Sequence, residues 1–149
     1  MGKPSQLGIM VILLGAVVAL TGFFPGVMGL EAARGIGVLQ ALAILAGFGG
    51  LIGGAYIYVK VTYYLNQKNT LAQRIAVRLS LTGLLISAAT GLADVLGFGS
   101  HPPIATIQRP LVGTYQLVGM FVGFAIASFG VIIYTLMGDH DEPPSTPDS

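Results

Sequence analysis

The chain has 149 residues, 54% hydrophobic and only 9% charged, with a net charge of +1. A water-soluble surface of this size carries about 25–35% charged residues. The composition therefore excludes an ordinary soluble globule, a disordered chain and a nucleic-acid-binding domain, whose footprint is a basic patch. Cysteine and tryptophan are absent. That removes disulfides, thiol redox chemistry and thiolate metal sites, and leaves any interfacial aromatic belt to Tyr and Phe. Glycine numbers 22, about twice its usual share of roughly 7%, an excess that in lipid points to helices in close contact.

A bilayer core of about 30 Å takes about 20 apolar helical residues, and four stretches reach that length. The first covers about 7–30 and carries no charge. It is longer than the apolar core of a signal peptide and no A-x-A site follows, so it is expected to stay as a span. The second covers about 35–59, again uncharged, and follows Arg34. Gly47, Gly50 and Gly54 lie on one helical face here, extended by Ala43 and Ala46, with Gly49 and Gly53 on the adjacent face. Gln40 sits about five residues inside the outer end. The basic segment from Lys60 to Arg74 comes next; its cations are expected to anchor topology, with attraction to anionic lipid or to a partner's acidic surface as the alternative.

The third span covers about 79–98 and holds Asp94, the one ionisable group within any span. Asp94 lies about 24 Å along a helix from Arg78, near the outer headgroups, where a helix-end or loop-capping acid paired with Arg109 is expected and a proton-coupled site is the alternative. The outer loop that follows carries His101. The fourth span covers about 111–137, uncharged, with Gln116 near its start and Gly119, Gly123 and Gly130 along it. Residues 138–149 form a Pro-rich acidic tail that cannot bury apolar area and is expected to be disordered. The domain is thus 1–137. Lys3, Lys60, Lys68, Arg74 and Arg78 oppose Arg34 and Arg109, which places both termini and the central segment in the cytoplasm.

Gly37–Tyr58 aligns on Gly113–Tyr134 without gaps. Identities fall at Gly37/Gly113, Gln40/Gln116, Gly47/Gly123, Phe48/Phe124, Gly54/Gly130, Ile57/Ile133 and Tyr58/Tyr134. Thr21-Gly22 and Thr90-Gly91 are a counterpart in the preceding spans. The expected architecture is all-α: a four-helix transmembrane bundle of two like-oriented helical hairpins. The glycine faces are expected to pack spans two and four on each other or on their hairpin partners. Gln40 and Gln116 are expected to pair across the pseudo-two-fold, with a polar ligand such as a quinone or lipid headgroup as the alternative.

The pattern running from Arg34 to Tyr58 and again from Arg109 to Tyr134 resembles uncharacterised small bacterial inner-membrane proteins with a Gly- and Gln-bearing hairpin. That resemblance implies a bacterial inner-membrane location and no functional residues. No axial haem pair, metal motif, nucleophile–base pair or phosphate loop is present in the sequence, so no cofactor and no enzymatic activity are expected. The expected role is that of an accessory or scaffold subunit, with membrane lipids and either other integral subunits or further copies of itself as partners. A small transporter or channel using Asp94 and Gln40, and an outer-leaflet lipid or quinone module, are the alternatives. The absence of cysteine makes the orientation directly testable. A single Lys68→Cys variant, expressed in cells, reacts with a membrane-impermeant thiol reagent only after permeabilisation; labelling of intact cells contradicts the orientation.

Overall fold

A computed structural model of the chain describes residues 3–29, 37–93, 95–98 and 112–138. These fold into four α-helices, α1 (Lys3–Phe23), α2 (Val38–Tyr63), α3 (Leu71–Gly91) and α4 (Thr114–Leu136), with a single 3-10 turn at Pro25–Met28 and no strand among the described residues. All four are long and apolar enough to cross a membrane, which fits an integral membrane protein that crosses several times.

The helix limits differ from the apolar runs for local reasons. α1 stops at Phe23 because Phe24 precedes Pro25 and leaves the helical region, at φ −126° and ψ 68°. Gly29, at φ 71°, closes the 3-10 turn in a left-handed conformation that favours glycine. α3 begins at Leu71, well ahead of the expected residue 79, because Thr70 and Gln73 form a capping box. The Gln73 N–H donates to Thr70 Oγ1 and the Thr70 N–H to Gln73 Oε1, both at 3.1 Å. Arg74 and Arg78 therefore stand on α3, and Lys60 stands in the last turn of α2. The basic segment is a short turn flanked by helix ends, not an extended loop. α3 ends at Gly91, so the span expected to reach 98 stops short of it. Asp94 itself, like Arg34, Arg109, His101 and the tail beyond Gly138, lies outside the described residues.

α1 packs along α2 and α3 along α4, each as a close antiparallel pair, while α2 also touches α3 and α4. Within each pair the contact line is made of small residues. Gly8, Gly15 and Gly22 of α1 recur every seven residues. They sit against Tyr58, Leu51 and Ile44 of α2, so closely that a Cβ at any of the three would lie 2.7 Å from α2. From the other side, Gly47 meets Ala19 and Gly54 meets Ile12. In the second pair Gly83 meets Ala127, Gly123 meets Ser87, Gly130 meets Ala76 and Ser80, and Gly119 meets Thr90. Spacings of three and four in alternation form a seven-residue repeat, the signature of a left-handed helix pair. Small residues on that seam let the backbones approach until dispersion and weak polar contacts accumulate, which is where helices in lipid gain their packing energy.

The glycine faces thus meet their hairpin partners rather than each other. Gly50 lies on the seam against Gly15, whereas a Cβ added at Gly49 or Gly53 would meet nothing within 4 Å, and Ala46 is exposed. The two pairs join through large aromatic rings instead. Phe48 stacks on Phe124 with ring centroids 4.0 Å apart, and Phe23 stacks on Phe121 at 5.5 Å. At the other end Tyr56 meets Tyr134 edge-on at 4.9 Å. The Phe48/Phe124 and Tyr56/Tyr134 contacts require α2 and α4 to run in the same sense. α1 and α3, each antiparallel to its partner, then share the opposite sense.

Position on the seam sets the effect of adding a methyl group. Gly47→Ala brings a Cβ to 2.5 Å from the Ala19 backbone, and Gly123→Ala brings one to 2.5 Å from Ser87. Each is expected to destabilise the folded state by roughly 1–3 kcal/mol. Gly53→Ala, which faces open space, is expected to be neutral or slightly stabilising. Thermal unfolding of the three variants in one detergent checks the contrast; equal midpoints refute the seam.

Candidate functional site

The polar side chains of the described bundle gather along one line and at one end. The line is on α3. Gln73, Ser80 and Ser87 are spaced seven apart and each is essentially buried. Ser87 Oγ donates to the Met120 carbonyl and Ser80 Oγ to the Ala127 carbonyl, both at 2.6 Å, and Gln73 Nε2 donates to the Tyr134 carbonyl at 3.3 Å. The acceptors on α4 are also seven apart. A hydroxyl on so short a side chain reaches the next helix's backbone because the seam residues around it, Gly83, Gly123 and Gly130, have no side chain to hold the helices apart. In hydrocarbon a buried hydroxyl without a partner is costly, so this ladder satisfies the serines and ties α3 to α4.

Tyr56 extends the ladder to α2. Its hydroxyl lies 2.8 Å from Ser80 Oγ and 3.1 Å from the Ala76 carbonyl. A serine hydroxyl has one proton, and Ser80 gives it to Ala127. Tyr56 is therefore the donor toward Ser80, sharing its proton with Ala76.

The end of the bundle that carries the turn between α2 and α3 is built around the last carbonyls of α4. A helix leaves its final carbonyls without intrahelical partners. Here the turn supplies them: Gln73 takes Tyr134, Tyr64 Oη donates to Thr135 at 2.8 Å, and Thr70 Oγ1 donates to Met137 at 2.9 Å. Lys60 Nζ closes the same turn from inside, donating to the Gln67 carbonyl at 2.6 Å and to Asn69 Oδ1 at 2.8 Å, while Tyr134 Oη donates to that same Asn69 oxygen at 3.2 Å. Lys60 is thus bound by neutral oxygens at the C-terminal, partially negative end of α2. The cluster joins three helix ends; among the described residues it contains no carboxylate, and no group of three His, Asp or Glu side chains is placed to hold a metal.

At the opposite end Gln40 and Gln116 have matching local roles. Gln40 Oε1 accepts from the Gly37 N–H at 2.8 Å, and Gln116 Oε1 accepts from the Gly113 N–H at 2.6 Å. Each amide reaches back from the third helical position to the residue before its own helix, the reciprocal half of a capping box. No bond between the two amides is present among the described residues. The expected pairing across the two-fold gives way to local capping because an N–H at a helix start has no partner within its helix. Gln73 does the same for α3, so α2, α3 and α4 all open on this device.

Ser128, by contrast with Ser80 and Ser87, bonds back to the Phe124 carbonyl of its own helix at 2.9 Å. Sequence reasoning misses the ladder residues because serine in an apolar run reads as filler. The signal that identifies them is spacing: 73, 80 and 87 are one heptad position, as are Gly8, Gly15 and Gly22 on α1. The chain matches no protein-family model, no curated protein and no solved structure.

Ser80→Ala removes the bond to α4 and the acceptor of Tyr56, and is expected to cost about 1 kcal/mol, within the usual range for one interhelical bond in lipid. Ser128→Ala, which loses only a bond within its helix, is expected to leave the unfolding midpoint nearly unchanged. Equal effects of the two substitutions in detergent unfolding contradict an interhelical role for Ser80.

Proposed function

We propose that the protein is a non-enzymatic accessory or scaffold subunit of a bacterial inner-membrane assembly, built as two copies of one helical hairpin. The observation that supports this reading is the use made of the polar atoms inside the bundle. Ser80, Ser87, Gln73, Tyr56 and Tyr134 are committed to backbone and side-chain partners on neighbouring helices or, for Tyr134, on the turn at Asn69. A catalytic or transport site needs groups free to change partners or protonation during turnover, whereas these groups hold helices together. Gln40, on which a transport or ligand-binding reading leans, uses its Oε1 at its own helix start. The duplicated-hairpin reading draws support from the contacts themselves, since Gly47 and Gly123, and likewise Gly54 and Gly130, occupy corresponding places on the two seams.

Affinity purification of the tagged chain from native membranes in mild detergent tests the role. The expected result is a particle well above the 15.4 kDa of one chain, carrying either further copies or defined membrane partners in fixed ratio. A monodisperse single chain with no partner, before and after chemical crosslinking in the membrane, overturns it.

A further inference from the structure

The end of α2, the turn after it and the start of α3 carry four cations, Lys60, Lys68, Arg74 and Arg78, and they are not alike. The ammonium of Lys60 is held by the Gln67 carbonyl and Asn69. The guanidinium groups of Arg74 and Arg78 are exposed and have no hydrogen-bond or ion-pair partner among the described residues. They stand four apart on one face of α3, where like charges repel. Arg74 lies at the end of the first turn, near the positive end of the helix dipole, and that turn contains no acid. Two like charges four apart on an exposed face favour an anion beside them.

The same face becomes apolar one turn further along. Leu81 and Leu85, three and seven residues beyond Arg78, are 61% and 69% exposed. An ordered stripe, two cations followed by two large aliphatic side chains pointing away from the bundle, has the polarity profile of a phospholipid. We infer that the outward face of α3 binds an anionic phospholipid, its phosphodiester held by Arg74 and Arg78 and its acyl chain laid along Leu81 and Leu85. Guanidinium forks match phosphate oxygens in two-point contact, and the arginine stems lie along apolar surface with the charge at headgroup level. Lipid binding here does not depend on the accessory role proposed above, because the arginines and leucines that form it all belong to α3 of this chain.

The test uses the full-length chain reconstituted in nanodiscs of equal parts phosphatidylglycerol and phosphatidylcholine, with retained lipid counted by native mass spectrometry. Attraction of anionic lipid by a basic residue near the surface scales to about fivefold per residue, so about thirtyfold enrichment of phosphatidylglycerol is expected for the pair. Arg74→Gln with Arg78→Gln lowers the enrichment to near unity. Arg74→Lys with Arg78→Lys preserves most of it. The single glutamine variants, each expected to lose about fivefold, keep the test open should the double variant fail to fold. Equal retention of the two lipids by the unmodified chain, or undiminished enrichment in a folded double variant, overturns the inference. Enrichment that emerges only after removal of residues 139–149 assigns this face to the chain's own acidic segment and overturns it as well.

Discussion

The architecture depends on how closely two backbones can approach. Lipid tails are as apolar as leucine, so helices in a bilayer gain nothing by hiding hydrocarbon from their surroundings; they gain by dispersion over a tight contact and by polar contacts across it. The seam of Gly8, Gly15 and Gly22 against α2, and of Gly83 against Gly123 and Ala127, supplies that contact. The serine ladder is a consequence of it. Ser80 and Ser87 reach α4 carbonyls at 2.6 Å only where no side chain separates the helices. Smallness and polarity are therefore one design on α3, where each makes the other useful.

A second kind of contact holds the pairs to each other. Between the two pairs the interface is aromatic, with phenylalanines toward one end and tyrosines toward the other. Rings hold backbones further apart than glycines do, and α2 touches α3 and α4 along less of their length than it touches α1. The tyrosine end adds directional bonds. Tyr56 reaches Ser80 and Tyr134 reaches Asn69, so the three helices meeting at the turn are linked through specific atoms and not only by ring area. The same turn satisfies the last carbonyls of α4, which makes the connection between the pairs and the termination of α4 a single piece of structure.

Polar residues in this chain divide by reach. Threonines and Ser128 that face outward bond back to the carbonyl four residues earlier and stay compatible with lipid. The glutamines at the third position of α2, α3 and α4 serve helix starts. Only those on the seam bond across it. Facing the seam permits a bond across it without dictating one, since Thr90 packs against Gly119 yet bonds back to Ile86 and Ser87, and the face is defined only once the partner helix is known.

The number of helices, their hydrocarbon setting and the presence of glycine-bearing faces were determined by the sequence alone, because these follow from length, charge scarcity and short-range spacing. The capping devices were equally local: Thr70 with Gln73, and Gly37 with Gln40, need nothing beyond four consecutive residues. Reading the helices from uncharged runs concealed them, since a cation such as Arg74 is acceptable inside a helix whose exposed side lets the charge reach water or headgroups. What the tertiary structure decided was pairing. Gly47 and Gly53 are the same residue type on the same helix, yet one lies against Ala19 and the other against nothing within 4 Å. Composition cannot tell them apart, because the difference lies in where α1 sits, a property of two helices and not of one.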